Sequence, residues 1–285
     1  MPSRTLTLCA ALAITIATAA FGAAEDQILV VEQDYNIIES SKDGPAARDV
    51  RQKLYIHKDM VCIDEYGGKE GDKPTESIIV DLKNRKIVNL NHMDKKKVTE
   101  DFDVRRKRLE KKKKNADEDL AAQPAGPQRD RVAKLYRALL DDKRRYALAE
   151  NPGPAKTLAG ASCSLVKIVA EDAPEYTPLE AYLHPQIEVP YENADMLYLL
   201  QIIGDKLAGF MRKHKETFKH LPMELHLELA AGGRLDTKVI TVTNVDRNEF
   251  NTNSRGGLGN PFTAPANYEE RAVRAPKAET KDRPD

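Results

Sequence analysis

The sequence predicts an α+β fold, an antiparallel β-sheet covered by two long helices. Three stretches predict it. Residues 78–100, IIVDLKNRKIVNLNHMDKKKVTE, set short β-branched runs between charged reversals, which is the pattern of a meander rather than of a solvated face. Residues 193–218 carry Met196, Leu199, Leu200, Ile203, Leu207, Phe210 and Met211 along one side of a helix. Residues 222–229 alternate, with Met223, Leu225 and Leu227 on one face and Glu224, His226 and Glu228 on the other.

The remaining elements follow in chain order. QILVVEQDYNIIE (27–39) is apolar and β-branched enough for a first strand, and VRQKLYIHKDMVCIDEY (50–66) reads as a hairpin turning at Lys58-Asp59. GGKEGDKP (67–74) is a loop on composition. The meander then runs from Ser77 to Leu82, turns at Lys83–Arg85, returns over Lys86–Asn91 and turns again at MDKKK before Val98. Lysines along it discourage pairing between sheet edges. DFDVRRKRLEKKKK (101–114) holds eight basic residues. It reads as a solvated helical segment leading into the linker AAQPAGPQ (121–128); the competing reading is a patch for acidic headgroups or polyanions.

Residues 129–150 predict the first long helix, with Val132, Leu135, Tyr136, Leu139 and Leu140 on one stripe, stopped by NPGP (151–154). AKTLAGASCSLVKIVA (155–170) returns to strand, and PLEAYLHPQIEVP (178–190) supplies another, weakened by its prolines. Gly204 and Gly209 within the second helix each cost about 1 kcal/mol against alanine, which suggests that it lies close against a sheet. LDTKVITVTNVD (235–246) follows the turn AAGGR, and the chain beyond Tyr268 reads as a disordered tail over 269–285.

Composition bounds the function class. The 285 residues balance 45 basic against 45 acidic side chains, which gives no reason to expect nucleic acid as a partner. Residues 1–24 read as a cleaved secretory signal peptide: Arg4, the short apolar run Leu6–Ala20, then Gly22 and Ala24 at the −3 and −1 positions before Glu25. The competing uncleaved membrane helix is weakened by the threonines diluting the run. Cys9 follows Leu8, where a lipidation signal needs a small residue. The chain is expected to be exported, periplasmic or secreted, with no transmembrane segment in its mature form. Cys62 and Cys163 remain after cleavage and are candidates for one disulfide; the competing reading is two separate buried thiols.

The motifs KLYIHKDMVCID, IIVDLKNRKIVNLNHMDKKKVTE, LAGASCSLVKI and PFTAPANY, in that order behind a signal peptide, resemble the LolA-like superfamily of exported proteins, and most closely its uncharacterised domain-of-unknown-function branches. The resemblance spans about residues 27–268 and makes 25–268 a single domain with a charged insertion at about 103–130. It implies a strongly curved, incomplete barrel capped by helices over an apolar cavity; the best-known members carry or receive lipoproteins through their acyl chains. Two features depart from the pattern: the insertion has no counterpart, and the chain has no tryptophan.

Catalytic signatures are missing. His57, His92, His184, His214, His220 and His226 form no HxxxH pair, neither mature cysteine has a CxxC partner, GASCSL is not a GxSxG elbow, and RGGLGN (255–260) lacks the helix and Lys-Ser/Thr of a phosphate loop. No enzyme activity, metal or cofactor is expected. What remains is a hydrophobic ligand, a lipid or lipoprotein acyl chain, in a cavity lined by Met196, Leu200, Ile203, Leu207, Met211, Leu225 and Leu227. Two competing readings stand beside it. In one, helix stripe and sheet face simply fill the core; in the other, the chain is an envelope protein-interaction module working through 105–114 and the tail.

Overall fold

A computed structural model of the chain describes residues 28–39, 46–67, 73–122, 125–126, 145–173, 176–200, 202–231, 234–248, 255 and 257–272. The signal peptide, most of the 121–128 linker, the helix expected over 129–144 and the tail beyond Arg271-Ala272 lie outside the described residues.

The sheet has thirteen strands: β1 (Ile28–Glu39), β2 (Ala46–His57), β3 (Met60–Tyr66), β4 (Glu76–Asp81), β5 (Lys86–Asn91), β6 (Lys96–Asp101), β7 (Tyr146–Leu148), β8 (Lys156–Leu158), β9 (Ala161–Ala170), β10 (Leu179–Glu188), β11 (His220–Ala231), β12 (Arg234–Asn248) and β13 (Glu269–Glu270). Its order is β13-β6-β5-β4-β3-β2-β1-β12-β11-β10-β9-β7, with β8 paired to β9 off this path. The path does not close on itself. Pairing is antiparallel throughout except for β13, which runs parallel to β6.

The meander turns share a device. Asp81 accepts the Asn84 backbone N–H at 2.8 Å, and Asn91 accepts that of Asp94 at 2.8 Å. Each loop ends on a left-handed residue, Arg85 (φ 54) or Lys95 (φ 52). An Asx side chain thus supplies the turn geometry that a glycine would otherwise provide. Proline acts as expected in β10: pairing with β11 runs from Leu179 to Leu183, breaks across Pro185, and resumes only at Glu188 opposite His220.

Three helices are described: α1 (Phe102–Ala122), α2 (Asn193–Leu199) and α3 (Asp205–Lys213). Of the two long covering helices expected from the sequence, the first lies mostly outside the described residues and the second is corrected. The 193–218 helix is two short ones. Ile202 and Ile203 both donate to the Leu197 carbonyl, which tightens the end of α2, and Gly204 then caps α3 with extended backbone (φ −79, ψ 167). Gly209 allows no close approach, since a Cβ placed there would meet nothing within 4 Å. The end of the expected 129–150 helix is instead β7, paired to β9 through Tyr146↔Ala170 and Leu148↔Ile168.

The segment read as a solvated basic helix is docked. Glu100, on the sheet face that the helices cover, is 1% exposed and holds Arg108 at 2.7 Å and Arg105 at 3.3 Å. Arg105 also donates to the Leu199 carbonyl, and Leu109 is buried among Ile168, Leu179 and Leu183. Asp195 of α2 joins the three helices, accepting from Arg106 and from Arg212, each at 2.8 Å. Burial of a charge requires such pairing, so three of the eight basic residues, Arg105, Arg106 and Arg108, are committed to structure.

Apolar packing divides into two layers. Alternating residues such as Val31, Leu54, Ile63, Val80 and Ile87 pack with Met196 and Leu199 of α2, while Leu225, Leu227 and Ile240 pack with Leu197, Leu207 and Met211. The opposite face of β2–β5 packs Tyr55, Cys62, Ile79 and Leu90 beneath Phe262 and Tyr268. The candidate Cys62–Cys163 disulfide is not formed; both thiols are free and buried, as in the competing reading. Cys62 sits on β3 and Cys163 on β9, six strands along in the sheet order, and they pack in different clusters, Cys62 with Tyr55 and Ile79 and Cys163 with Val31 and Leu54.

Candidate functional site: a cavity beneath α2

Residues of β1–β4, β11 and β12 form the floor of a cavity of about 230 Å³, and α2 with the turn after it forms the roof. The floor presents Leu54, Val61, Ile63, Ile78, Leu225 and Ile240; the roof presents Met196, Leu197, Leu200 and Ile202. The space exists because the helix breaks. Ile203, fully buried, turns down into the core, and α3 continues over β7–β12 rather than over β1–β4.

Most of the polar groups that line it are already engaged. Gln33 Nε2 donates to Gln52 Oε1 at 2.8 Å, so one glutamine pair tiles part of the floor. Asn193 Nδ2 donates to the carbonyls of Phe218 and of His220, the latter at 3.0 Å. Glu65 and Lys238 at the margin also have partners. An apolar chamber with a small number of fixed polar groups is the usual make-up of a small-molecule site.

The candidates named from sequence fall into two groups. Met196, Leu200 and Leu225 line the chamber. Ile203, Leu207 and Leu227 are packed in the core among Ile168, Leu179 and Ala181. Met211 is likewise buried there, with one side on a second, outer pocket of about 330 Å³ bounded by Val189–Ala194, Arg212, Lys215 and Phe218–Lys219. Tyr191 and Asn193 belong to both spaces. Desolvation pushes the Tyr191 phenol up from its ordinary value.

A polar cluster on the opposite face of the sheet went unread in the sequence. Asp64 (0% exposed) and Arg255 (1%) form a two-pronged pair, Nε to Oδ2 at 2.8 Å and Nη2 to Oδ1 at 2.7 Å. Ser77 Oγ lies 2.5 Å from Asp64 and 2.6 Å from His92 Nε2, and His92 Nδ1 lies 2.6 Å from the Tyr268 hydroxyl. Arg255 Nη1 donates to the Asn260 carbonyl at 3.0 Å, so the far end of the glycine-rich RGGLGN holds the guanidinium. Burial lowers the His92 pKa, partly offset by Asp64. Ser77 is 1% exposed and His92 half-buried, with the segment carrying Tyr268 (8%) packed over them. These contacts pin residues 255–271 across β3–β6 as a strap. Among the described residues, no group of His, Cys, Asp and Glu could hold a metal ion.

No family model matches the chain, and no curated protein does. Solved structures do. An uncharacterised conserved protein from Thermus thermophilus aligns over 85% of this chain and 91% of its own, at 7% identity and a TM-score of 0.35. PNGF-II aligns over 87% of this chain, which spans only 31% of that protein, at 9% identity and a TM-score of 0.36. A LolA superfamily protein from Nitrosomonas europaea aligns over 80% of this chain and 89% of its own, at 9% identity and a TM-score of 0.29.

Proposed function

We propose that the chain is an exported binding protein for a hydrophobic ligand, a lipid or lipoprotein acyl chain, held without chemical change between the sheet and α2. The cavity of about 230 Å³ supports this reading. An apolar cavity of about 150 Å³ already admits benzene, so the larger one has room for a length of hydrocarbon. Each methylene removed from water contributes about 0.8 kcal/mol, and Met196 supplies a flexible thioether that conforms to an irregular chain. A signal peptide over residues 1–24 would place the protein in the periplasm or outside the cell.

The reading of a fully packed interaction module calls for a filled interior, which the cavity argues against. Deleting residues 103–128 would not separate the two readings, because that deletion also removes Arg105 and Leu109 from buried positions. A cleaner test uses the delipidated protein and a fluorescent fatty acid. Uptake is expected in wild type and is expected to fall in Leu200→Trp, whose indole fills the roof. Native mass spectrometry of protein from its own host should show a co-purifying lipid. No lipid and no uptake would end this reading.

A further inference from the structure

The inner cavity and the outer pocket share a wall, and its two members differ in freedom. Asn193 is locked, its amide donating to two carbonyls across the gap. The backbone before it is also tied, since the Val189 N–H donates to the Lys219 carbonyl at 3.1 Å, and Pro190 fixes its own φ. Tyr191, between these anchors, is half-buried, and its hydroxyl has no hydrogen-bond partner among the described residues.

We propose that Tyr191 is a side-chain gate between the two spaces, and that the ligand is a single-chain amphiphile whose tail passes it into the inner cavity while its polar head stays in the outer pocket. This rests on the cavity reading above. Size argues for a shared site: the inner space, about 230 Å³, falls below the roughly 300–1,000 Å³ of ordinary small-molecule sites. The outer space, about 330 Å³, sits only at the lower bound. A ligand using both would occupy a site of normal size. Chemistry argues the same way. The inner chamber is lined mainly by apolar side chains, with Glu65 and Lys238 at its margin, whereas the outer one is rimmed by Lys215, Glu192 and the ion-paired Arg212, Lys219 and Glu216, a surface suited to a hydrated head. Opening needs no loop movement, because a rotamer change at one tyrosine between fixed neighbours suffices.

Stopped-flow uptake of a dansyl-labelled fatty acid tests the gate. In Tyr191→Ala both association and dissociation should quicken by about tenfold or more, with the equilibrium constant changed far less, since a gate raises a barrier without adding affinity. Tyr191→Phe should behave as wild type because the hydroxyl makes no bond, and Tyr191→Trp should slow uptake. Urea melts of the three variants confirm folding, and Tyr191→Phe and Tyr191→Trp keep the test alive should the alanine variant unfold. Wild-type uptake with rates indifferent to all three substitutions overturns the gate alone. No uptake by wild type, with or without Leu200→Trp, overturns the cavity reading and the gate with it.

Discussion

Asp64 and Arg255 are buried together, 191 positions apart in sequence. Removing one charge strands the other in a medium that cannot solvate it, at a cost of about 3–5 kcal/mol. Asp64→Leu should therefore lower the urea midpoint severely, while Asp64→Leu with Arg255→Met should regain much of the loss, because an apolar pair of similar volume carries no desolvation cost. His92 adds a pH dependence. Burial, the largest influence, depresses its pKa in the folded chain below the ordinary 6.5. As pH falls, the unfolded chain binds the proton first, so stability from neutral His92 is complete above about 6.5 and drains away as pH falls through the depressed value. Urea midpoints of wild type should fall across that window more steeply than those of His92→Gln. Subtracting the variant removes the contribution of His184, which burial also depresses.

At the scale of elements, α1 shows how a charge run becomes structural. Glu100 faces Arg105 and Arg108 from β6, so Glu100→Ala should cost about 3–5 kcal/mol by leaving Arg105 buried without its carboxylate, and should show lost helicity by circular dichroism. The strands were legible because period-2 alternation and Asx turns are local: Asp81-to-Arg85 and Asn91-to-Lys95 hold their signals within five residues. The α2–α3 break was not, since the apolar stripe continues unbroken through Leu200 and Ile203. Gly204 offered the only local warning, and its extended conformation is decided by Ile203 burying itself in the core. The same break decided the site. Met196, Leu200 and Leu225 came to line a space while Ile203, Leu207 and Leu227 closed one, a division that depends on the direction of α3 rather than on residue type. The Asp64–Arg255–His92–Tyr268 cluster left no pattern at all, because its members meet only through the finished sheet.

The whole molecule is an open sheet, and an open sheet has edges to protect. On β6 the strap does this. Glu269 and Arg271 donate backbone N–H groups to the carbonyls of Lys95 and Lys97, and Glu270 accepts the Thr99 N–H through its side chain. A chain ending at Asn267 loses these contacts together with Tyr268. It should associate through the bared β6 in proportion to concentration, seen as dimers and larger species by size-exclusion chromatography with light scattering. Persistence of a monomer at high concentration would show that the lysines of β6 protect the edge unaided.

Parallel pairing of β13 with β6 also imposes a schedule. Thr99 leaves the ribosome 171 residues ahead of Glu270, so at about 5–20 residues per second its edge waits roughly 10–30 s for a cover. The free flank of β1 waits longer still for β12, whose residues pair with it from Ile38↔Thr237 to Ile28↔Asn248. During translation the molecule therefore has two unsatisfied borders, and whatever shelters the nascent polypeptide must shield β1 until β12 emerges and β6 until β13 does.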